Sequence, residues 1–385
     1  MFKGKFLKLS VLLASLCILL GTYPLTPASA EENPFVLNCK SAVLMEASTG
    51  KVLFAQNPDE ALPPASVTKI MTLLLVMEAI EEGRLKWTDQ VATSERAASM
   101  GGSQIYLEVG ETMSVEDMVK SVVIASANDA ACALAERVAG SEEEFVRRMN
   151  AKAADLGMKN TNFENTNGLD DTAQNHLTSA MDIAIMSRAL IRYEKILEYS
   201  SIWMDTVRDG AFGLTNTNRL VRYYNGCTGL KTGSTSKAGF CISATAKRNN
   251  MSLICVIMGA ETRDIRNAEA TKLLDYGYAN YELYVNEGGV LKDVKVTGGS
   301  QSRVDVTFPK FTAVLPSGKS GAVEVKTDIP STLVAPLRRG EIVGKVSFLL
   351  DGKTLGEINA VSASEVTKIT YLQILWRMLA RFVLL

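Results

Sequence analysis

The periodicity of apolar residues predicts helices in the first half of the chain. Segment 66–81 is apolar around most of the circumference of a helix, and Gly83 follows it as a natural stop. Three further segments carry the helical period, at 115–138, 142–156 and 178–191. The pattern therefore predicts a buried helix with Ser66 and Lys69 in its first turn, followed by a largely helical region.

Short runs typical of β-strands lie on either side of these helices. Segments 41–45 and 51–55 flank the turn-like pair Thr49-Gly50, which predicts a hairpin. After residue 214 come three short apolar or alternating runs and one helical segment, at 226–231, 238–246, 253–259 and 267–281. The sequence thus predicts an α+β domain, in which a helical cluster packs on an antiparallel sheet built from distant parts of the chain.

The pattern of apolar residues changes after residue 283. Six brief strands separated by Gly, Pro and Ser predict a small all-β domain, at 290–296, 303–308, 312–315, 322–327, 342–350 and 353–360. The last segment, 366–385, is apolar except for a narrow stripe that contains Arg377 and Arg381. It predicts an amphipathic helix that lies in a membrane interface, with a helix docked on the protein's own body as the alternative.

The N-terminal segment has the pattern of an export signal. Lys3, Lys5 and Lys8 precede the apolar run 9–20, and the small residues Ala28-Ser29-Ala30 follow. The run is short for a membrane anchor, because a bilayer span needs about 20 apolar residues. The predicted organisation is a signal peptide at 1–30, an α+β domain at 31–283, a small β-sandwich domain at 284–362 and an anchoring helix at 363–385.

Charge and composition exclude several classes of function. The 41 basic and 42 acidic side chains give a formal net charge of −1, so the basic field that a nucleic-acid partner needs is missing. His176 is the only histidine and no CxxC pair occurs, which leaves neither a structural zinc site nor a histidine-based triad. A general base must then be a lysine, a carboxylate or a tyrosine. We interpret His176 as a packing or capping residue near the Thr178 helix, and the acidic run 142–144 as a solvated helix start.

The first motif, Ser66-Val67-Thr68-Lys69, places a hydroxyl and an amine on one helix face. Desolvation in an apolar helix lowers the pKa of a lysine toward the neutral amine that can take the Ser66 proton. The helix N-terminus also presents free backbone N–H groups where an oxyanion would form. Alone the motif is unspecific, because an N-cap serine followed by a lysine that extends to solvent has the same pattern.

Two further motifs add polar groups that a peptide-cleaving site needs. Ser126-Ala127-Asn128 interrupts the apolar run 119–124, and its hydroxyl and amide can move a proton and hold a peptide. Lys231-Thr232-Gly233-Ser234 lies at the end of a predicted strand, where Lys231 and Thr232 can bind a carboxylate and Gly233 permits close backbone approach. Each motif is unspecific alone, but the ordered set S-x-x-K, S-x-N, K-T-G is specific.

With these motifs the chain resembles the low-molecular-mass penicillin-binding proteins that are D-alanyl-D-alanine carboxypeptidases. Other stretches carry the same resemblance: Pro64-Ala65, Ile70-Met71-Thr72, Asp129-Ala130, Asn165 with Gly168-Leu169, Asn216-Thr217-Asn218, Gly229-Leu230 and Ala238-Gly239-Phe240-Cys241. The resemblance implies a β-lactamase/transpeptidase-like catalytic domain, followed by the family's all-β stalk and membrane anchor. It also implies an exported protein at the outer face of the cytoplasmic membrane or in the cell wall.

The resemblance implies roles in the reaction for five side chains of the three motifs. Ser66 would be the acyl-enzyme nucleophile and Lys69 its base. Ser126 would relay protons, Asn128 would orient the substrate, and Lys231 of the third motif would supply positive charge opposite Ser126. These five side chains would form the reacting part of the site.

The resemblance also implies that the remaining residues of the third motif bind the substrate. Thr232 would bind the terminal carboxylate beside Gly233, and Arg263 or Arg266 would assist. The backbone N–H groups of Ser234 and of the nucleophile would form the oxyanion hole. The site would thus hold both the charged end and the reacting carbonyl of a peptide.

The implied substrate is a peptidoglycan stem pentapeptide that ends in D-Ala-D-Ala. The serine would release the last D-alanine, water would hydrolyse the acyl-enzyme, and β-lactams would acylate the same serine. No metal, cofactor or nucleic acid is implied. Three alternatives stay open: a class A β-lactamase, which normally ends after the catalytic domain, a transpeptidase, which uses an amine acceptor, and a non-catalytic wall-binding protein.

Overall fold

The computed structural model describes residues 34–170 and 173–383, with side chains as far as Leu379, so the predicted signal peptide at 1–30 lies outside the described residues. The described helices are α1 (Lys69–Glu81), α2 (Glu95–Ala98), α3 (Val115–Lys120), α4 (Asn128–Ala139), α5 (Glu142–Asp155), α6 (Ala180–Leu190), α7 (Glu194–Ser200), α8 (Leu220–Tyr223), α9 (Arg263–Asn280) and α10 (Tyr371–Val383).

The strands follow in the same chain order. They are β1 (Ser41–Glu46), β2 (Val52–Gln56), β3 (Gln90–Ala92), β4 (Thr112–Ser114), β5 (Met204–Val207), β6 (Phe212–Thr215), β7 (Cys227–Thr235), β8 (Gly239–Arg248), β9 (Met251–Ala260), β10 (Tyr281–Asn286), β11 (Gly289–Thr297), β12 (Arg303–Phe308), β13 (Phe311–Pro316), β14 (Glu324–Asp328), β15 (Thr332–Val334), β16 (Ile342–Leu350) and β17 (Lys353–Ser362). The short ribbons β3–β4 and β5–β6 were not predicted.

A five-stranded antiparallel sheet joins the two ends of the α+β domain. Its strand order is β2-β1-β9-β8-β7, so the predicted hairpin and the three strands predicted after residue 214 lie in one sheet. The predicted α+β class, with a sheet built from distant parts of the chain, is confirmed. Strand β7 extends four residues past the predicted end at Lys231, to Thr235, because pairing with β8 continues through Gly233.

The register of this sheet decides which side chains face the helical cluster. Lys231 of β7 lies opposite Ser243 of β8, so their side chains share one face. The hydroxyl of Ser243 hydrogen-bonds to that of Ser187 in α6 at 2.8 Å, which shows that the helical cluster covers this face. Gly277 of α9 packs against Leu253 on the opposite face. Lys231 therefore points to the side where the helices lie.

The single helix predicted at 115–138 is wrong. Helix α3 ends at Lys120, a segment of π-helix spans Ser121–Ala125, and α4 begins at Asn128. Between them Ser126 has φ 64° and ψ 29°, a left-handed conformation that an α-helix cannot continue through. The S-x-N motif therefore occupies a corner between two helices and not a helix face.

The C-terminal part forms the predicted all-β domain. Its six-stranded sheet has the order β14-β16-β17-β12-β11-β15. The predicted strand at 312–315 instead pairs with β10, so the boundary predicted at 283/284 falls inside a strand. The two layers meet where the ring of Phe311 in β13 stacks on buried Phe348 in β16, with 4.0 Å between ring centroids.

Helix α10 is shorter than the predicted segment 366–385. It begins at Tyr371, because Val366 is buried in the β-domain, where it pairs with Leu337. Large apolar side chains of α10 are exposed: Tyr371, Leu372, Ile374, Leu375, Trp376, Met378 and Leu379. Among the described residues no helix is long and apolar enough to cross a membrane.

Replacing Phe348 with alanine is expected to lower the free energy of unfolding by about 3–5 kcal/mol, because a buried ring is lost and a cavity remains. Chemical denaturation followed by circular dichroism measures the change. Val325→Ala, at a position 43% exposed on β14, is the matched control and should change stability by less than about 0.5 kcal/mol. Equal losses in both variants would contradict the core position of Phe348.

Candidate active site

Ser66 lies on a 3-10 turn, Ala65–Thr68, that leads directly into α1. Ala65 has φ 48°, a left-handed conformation that costs an L-residue about 1–2 kcal/mol. Gly168 packs so closely on this turn that a Cβ at its position would overlap the Ala65 carbonyl. The loop 164–169 therefore supports the strained turn that carries the predicted nucleophile.

Lys69 opens α1 with its amine enclosed by protein. Its Nζ donates to Ser66 Oγ at 2.9 Å and to the Asn167 carbonyl at 2.8 Å, and the residue is 0% exposed. Burial lowers the pKa of the Lys69 amine well below its ordinary value, and the nearby charge of Lys231 lowers it further. A neutral amine next to a hydroxyl can accept the hydroxyl proton, which is what activation of a serine nucleophile requires.

Lys231 and Ser126 form a second pair of amine and hydroxyl. Lys231 Nζ donates to Ser126 Oγ at 2.8 Å and to the Thr232 carbonyl at 2.9 Å. Burial, helped by the positive charge of Arg266, lowers the pKa of Lys231 to about 7. This hydrogen bond joins the S-x-N corner of the helical cluster to the K-T-G strand of the sheet.

Asn128 is held near this pair by the loop before α3. Its Nδ2 donates to the Gly101 carbonyl at 2.7 Å, and its backbone N–H donates to Ser103 O at 2.7 Å. Its Oδ1 is buried and has no hydrogen-bond partner within the described residues. Since buried acceptors are almost always satisfied, this amide oxygen is suited to receive an N–H group from a bound peptide.

The K-T-G strand forms one wall of the site. Thr232 Oγ1 donates to Thr217 Oγ1 at 2.8 Å. A Cβ at Gly233 would lie 2.7 Å from the Ser66 backbone nitrogen, so only glycine allows the strand to come this near to the turn. Ser234 follows at the same wall and faces the cleft with Ser66.

An open cleft of about 620 Å³ lies over these groups. Of the motif residues, the cleft is lined by Ser66, Ser126, Thr232, Gly233 and Ser234, and its lining also includes Ser103, Trp203, Thr217, Arg219, Tyr223, Arg263 and Arg266. Arg266 is 3% exposed, and burial together with the charge of Arg263 lowers its pKa to about 10. The described residues contain no cluster of His, Cys, Asp and Glu that could hold a metal ion. The cleft thus offers hydroxyls and cations, which suits the anionic end of a peptide.

His176 is buried and packs against Phe163, as expected of a packing residue. Its Nε2 is also 2.8 Å from Thr68 Oγ1, inside the S-x-x-K motif, a contact that was not predicted. The predicted solvated position of Glu142 is wrong, since it is 5% exposed and accepts a hydrogen bond from Thr166 Oγ1. Both contacts join residues far apart in the sequence, so no local pattern could reveal them. Asn167 was missed for the same reason.

Two family models match the chain. One, described as D-alanyl-D-alanine carboxypeptidase, matches residues 27–262, and one described as penicillin-binding protein 5, C-terminal domain, matches residues 279–368. The chain therefore belongs to the D-alanyl-D-alanine carboxypeptidase family, within the low-molecular-mass penicillin-binding proteins.

Relatives and solved structures agree with this assignment. The chain is 45% identical over 346 residues to D-alanyl-D-alanine carboxypeptidase DacF of Bacillus subtilis (strain 168), covering 88% of each. Its fold is similar to penicillin-binding protein 5 from Haemophilus influenzae, with a TM-score of 0.77 and 34% identity over 87% of this chain and 99% of that one. It is also similar to penicillin-binding protein D2 from Listeria monocytogenes in the ampicillin-bound form, with a TM-score of 0.58 and 32% identity over 63% of this chain and 99% of that one. The predicted fold class and enzyme family are confirmed.

Lys231 is expected to lose its proton near pH 7 and not near the ordinary lysine value of 10.5, because burial and Arg266 both disfavour the ammonium form. An NMR titration of ¹³Cε-labelled lysines measures this, and Lys231→Met identifies the resonance by removing it. A spectrum in which every lysine resonance titrates above pH 9 would contradict the electrostatics described for the site.

Proposed function

We propose that this protein is a serine D-Ala-D-Ala carboxypeptidase that removes the terminal D-alanine from peptidoglycan stem pentapeptides and so limits cross-linking. The 2.9 Å hydrogen bond between Lys69 Nζ and Ser66 Oγ carries the proposal, since it pairs a hydroxyl with a buried amine of lowered pKa beside an open cleft. Membership of the family supports the same activity.

In the acylation step Ser66 Oγ attacks the carbonyl between the last two D-alanines while the Lys69 amine takes its proton. The carbonyl of Asn167 accepts one Lys69 N–H, which leaves the amine lone pair for the serine. The oxyanion that forms would be stabilised by the backbone N–H groups of Ser66 and Ser234, at the turn and at β7. The negative charge of the oxyanion would then develop where these two N–H dipoles already point, and such preorganised dipoles usually make the largest contribution to catalysis.

The leaving D-alanine needs a proton on its amine when the peptide bond breaks. We assign its delivery to Ser126, because the Ser126 hydroxyl accepts a hydrogen bond from Lys231 and Lys231 exchanges its proton near neutral pH. The proton that Lys69 took from Ser66 replaces the one that Ser126 gave up, which returns Lys69 to the neutral amine. Water then attacks the ester carbonyl, Lys69 takes one proton from it, and that proton passes to Ser66 as the ester bond breaks. Both half-reactions therefore use the same base.

Recognition of the peptide end is assigned to the cationic side of the cleft. Thr232 and Arg266, with Arg263 nearby, would bind the terminal carboxylate by charge-assisted hydrogen bonds, which are the stronger kind. Gly233 lets the β7 backbone lie along the peptide, and the Asn128 amide oxygen would receive a peptide N–H. A β-lactam resembles the D-Ala-D-Ala end and would acylate the same serine, as the ampicillin-bound relative suggests by analogy.

The protein would work outside the cytoplasmic membrane, where its substrate is. The sequence pattern at 1–30 supports export by a cleaved signal peptide. The exposed apolar residues of α10, next to Arg377, support attachment of this helix to the surface of an anionic membrane. An attached enzyme would stay close to newly made wall.

Replacing Ser66 with alanine is expected to reduce removal of D-alanine from a stem pentapeptide by at least about 10³-fold, because no acyl-enzyme can form. Mass spectrometry of the peptide after incubation with the protein measures the loss of one alanine. Ser201→Ala, at an exposed serine outside the cleft, is the matched control and should leave the rate unchanged. A pentapeptide left intact by the unaltered protein, or shortened equally by Ser66→Ala, would refute the proposal.

A chain that ends at Thr370 is expected to lose binding to phosphatidylglycerol-containing vesicles, because it lacks α10 but keeps Val366 in the β-domain core. Co-sedimentation with the vesicles measures binding, with the chain from Glu31 to Leu385 as reference. Neutral phosphatidylcholine vesicles separate the contribution of the basic residues. Equal sedimentation of the two chains with anionic vesicles would overturn the assignment of α10 as the anchor.

A further inference from the structure

His176 lies beneath the turn that carries Ser66 and joins that turn to the loop 164–169. The residue is 5% exposed, and the backbone N–H of Glu164 donates to its Nδ1 at 3.0 Å. Its Nε2 lies 2.8 Å from Thr68 Oγ1, and its ring packs edge-on against Phe163 at 5.7 Å between centroids. Both ring nitrogens are therefore engaged, one with each segment.

These contacts define the tautomer of the ring. A backbone N–H can only donate, so Nδ1 carries no proton and Nε2 carries it. The Thr68 hydroxyl requires the same arrangement, because its own proton is donated to the Ala65 carbonyl at 2.8 Å and its oxygen is left to accept. Burial, opposed in part by the charges of Glu164 and Asp170, lowers the pKa of His176 to about 4, so the ring is neutral at neutral pH.

The chain of hydrogen bonds ends on the peptide group that precedes Ser66. In a trans peptide the carbonyl and the N–H point in opposite directions. Holding the Ala65 carbonyl toward Thr68 therefore fixes the Ser66 N–H on the other side, toward Gly233, whose missing side chain leaves room beside that nitrogen. Ala65 has the strained φ of 48°, so the orientation needs support from outside the turn.

We propose that His176 is a positioning residue for acylation, which acts through Thr68 and the Ala65 carbonyl to hold the Ser66 N–H toward the oxyanion of the substrate. The inference rests on the proposed function, since it gives the Ser66 N–H a part in that reaction. His176 moves no proton in this scheme, because Nδ1 is occupied by Glu164 and Nε2–H is donated to Thr68.

A purely structural role would have a different consequence. If His176 only tied the loop 164–169 to the rest of the fold, its loss would reduce the fraction of folded protein and not the acylation rate of the folded molecules. The rate constant of acylation at saturating penicillin, k2, can be separated from the dissociation constant of the preceding complex. The two roles therefore differ in a measurable quantity.

Two substitutions each retain one of the two hydrogen bonds that the His176 ring makes. In His176→Gln the amide N–H₂ can replace the Nε2 donor to Thr68, and in His176→Asn the amide oxygen can replace the Nδ1 acceptor for Glu164. Stopped-flow acylation by a fluorescent penicillin gives k2 for each. We expect His176→Asn to lower k2 by roughly 10–100-fold, within the range known for misplaced catalytic groups, with the dissociation constant changed less than threefold. His176→Gln should acylate at least tenfold faster than His176→Asn.

A second pair tests the same path if the histidine variants fold poorly. Thr68→Val removes the hydroxyl at nearly constant volume and should lower k2 as His176→Asn does, while Thr68→Ser keeps the hydroxyl and should restore most of the rate. The double variant His176→Asn/Thr68→Val should be no slower than Thr68→Val alone, since both changes break one chain of hydrogen bonds.

Equal k2 values in His176→Asn and the unaltered protein would overturn the inference, and so would equal k2 values in Thr68→Val and Thr68→Ser. Thermal unfolding and the amplitude of acylation report the folded fraction and keep it apart from k2. Failure of the proposed function has another signature, because the unaltered protein would then form no adduct at Ser66 in intact-mass measurement.

Discussion

A lysine amine enclosed among uncharged acceptors is the constraint on which the site depends. Burial and the charge of Lys231 keep the pKa of the Lys69 amine low, and the Asn167 carbonyl helps to enclose this amine beside the Ser66 hydroxyl. The loop 164–169 must therefore lie directly on the turn that carries Ser66, and glycine at 168 permits this contact. The reactivity of Ser66 therefore depends on the packing of this loop, since a looser loop would admit water and raise the pKa of the Lys69 amine.

The second lysine completes this electrostatic arrangement. Lys69 and Lys231 lie in one site, and their mutual repulsion adds to desolvation in disfavouring two ammonium groups at once. Arg266 acts on Lys231 in the same direction but stays cationic near neutral pH. In the proposed reaction the environment thereby gives the three cations different roles: Lys69, with its lowered pKa, as base beside Ser66, Lys231 as the lysine that exchanges its proton near pH 7, and Arg266 as a fixed positive charge for the substrate.

Backbone strain next to Ser66 needs the same kind of support. Ala65 and Ser126 both have left-handed backbones. Ser126 belongs to the pair with Lys231, and Ala65 directly precedes Ser66 of the pair with Lys69. Such conformations persist only where surrounding contacts hold them. Thr68, which is itself hydrogen-bonded to His176, provides such a contact at Ala65, and Lys231 provides one at Ser126. The site is therefore positioned by groups that were not all visible as motifs.

The sequence by itself determined the α+β class, the all-β domain, most helix and strand positions, and the motif residues, because periodicity and short-range spacing are local properties of the chain. The tertiary structure alone decided the break at Ser126, the boundary inside β10 and the position of His176 beneath Thr68. Each of these depends on contacts between residues far apart in sequence. Local propensity cannot encode such contacts, since their energy exists only once distant segments pack together.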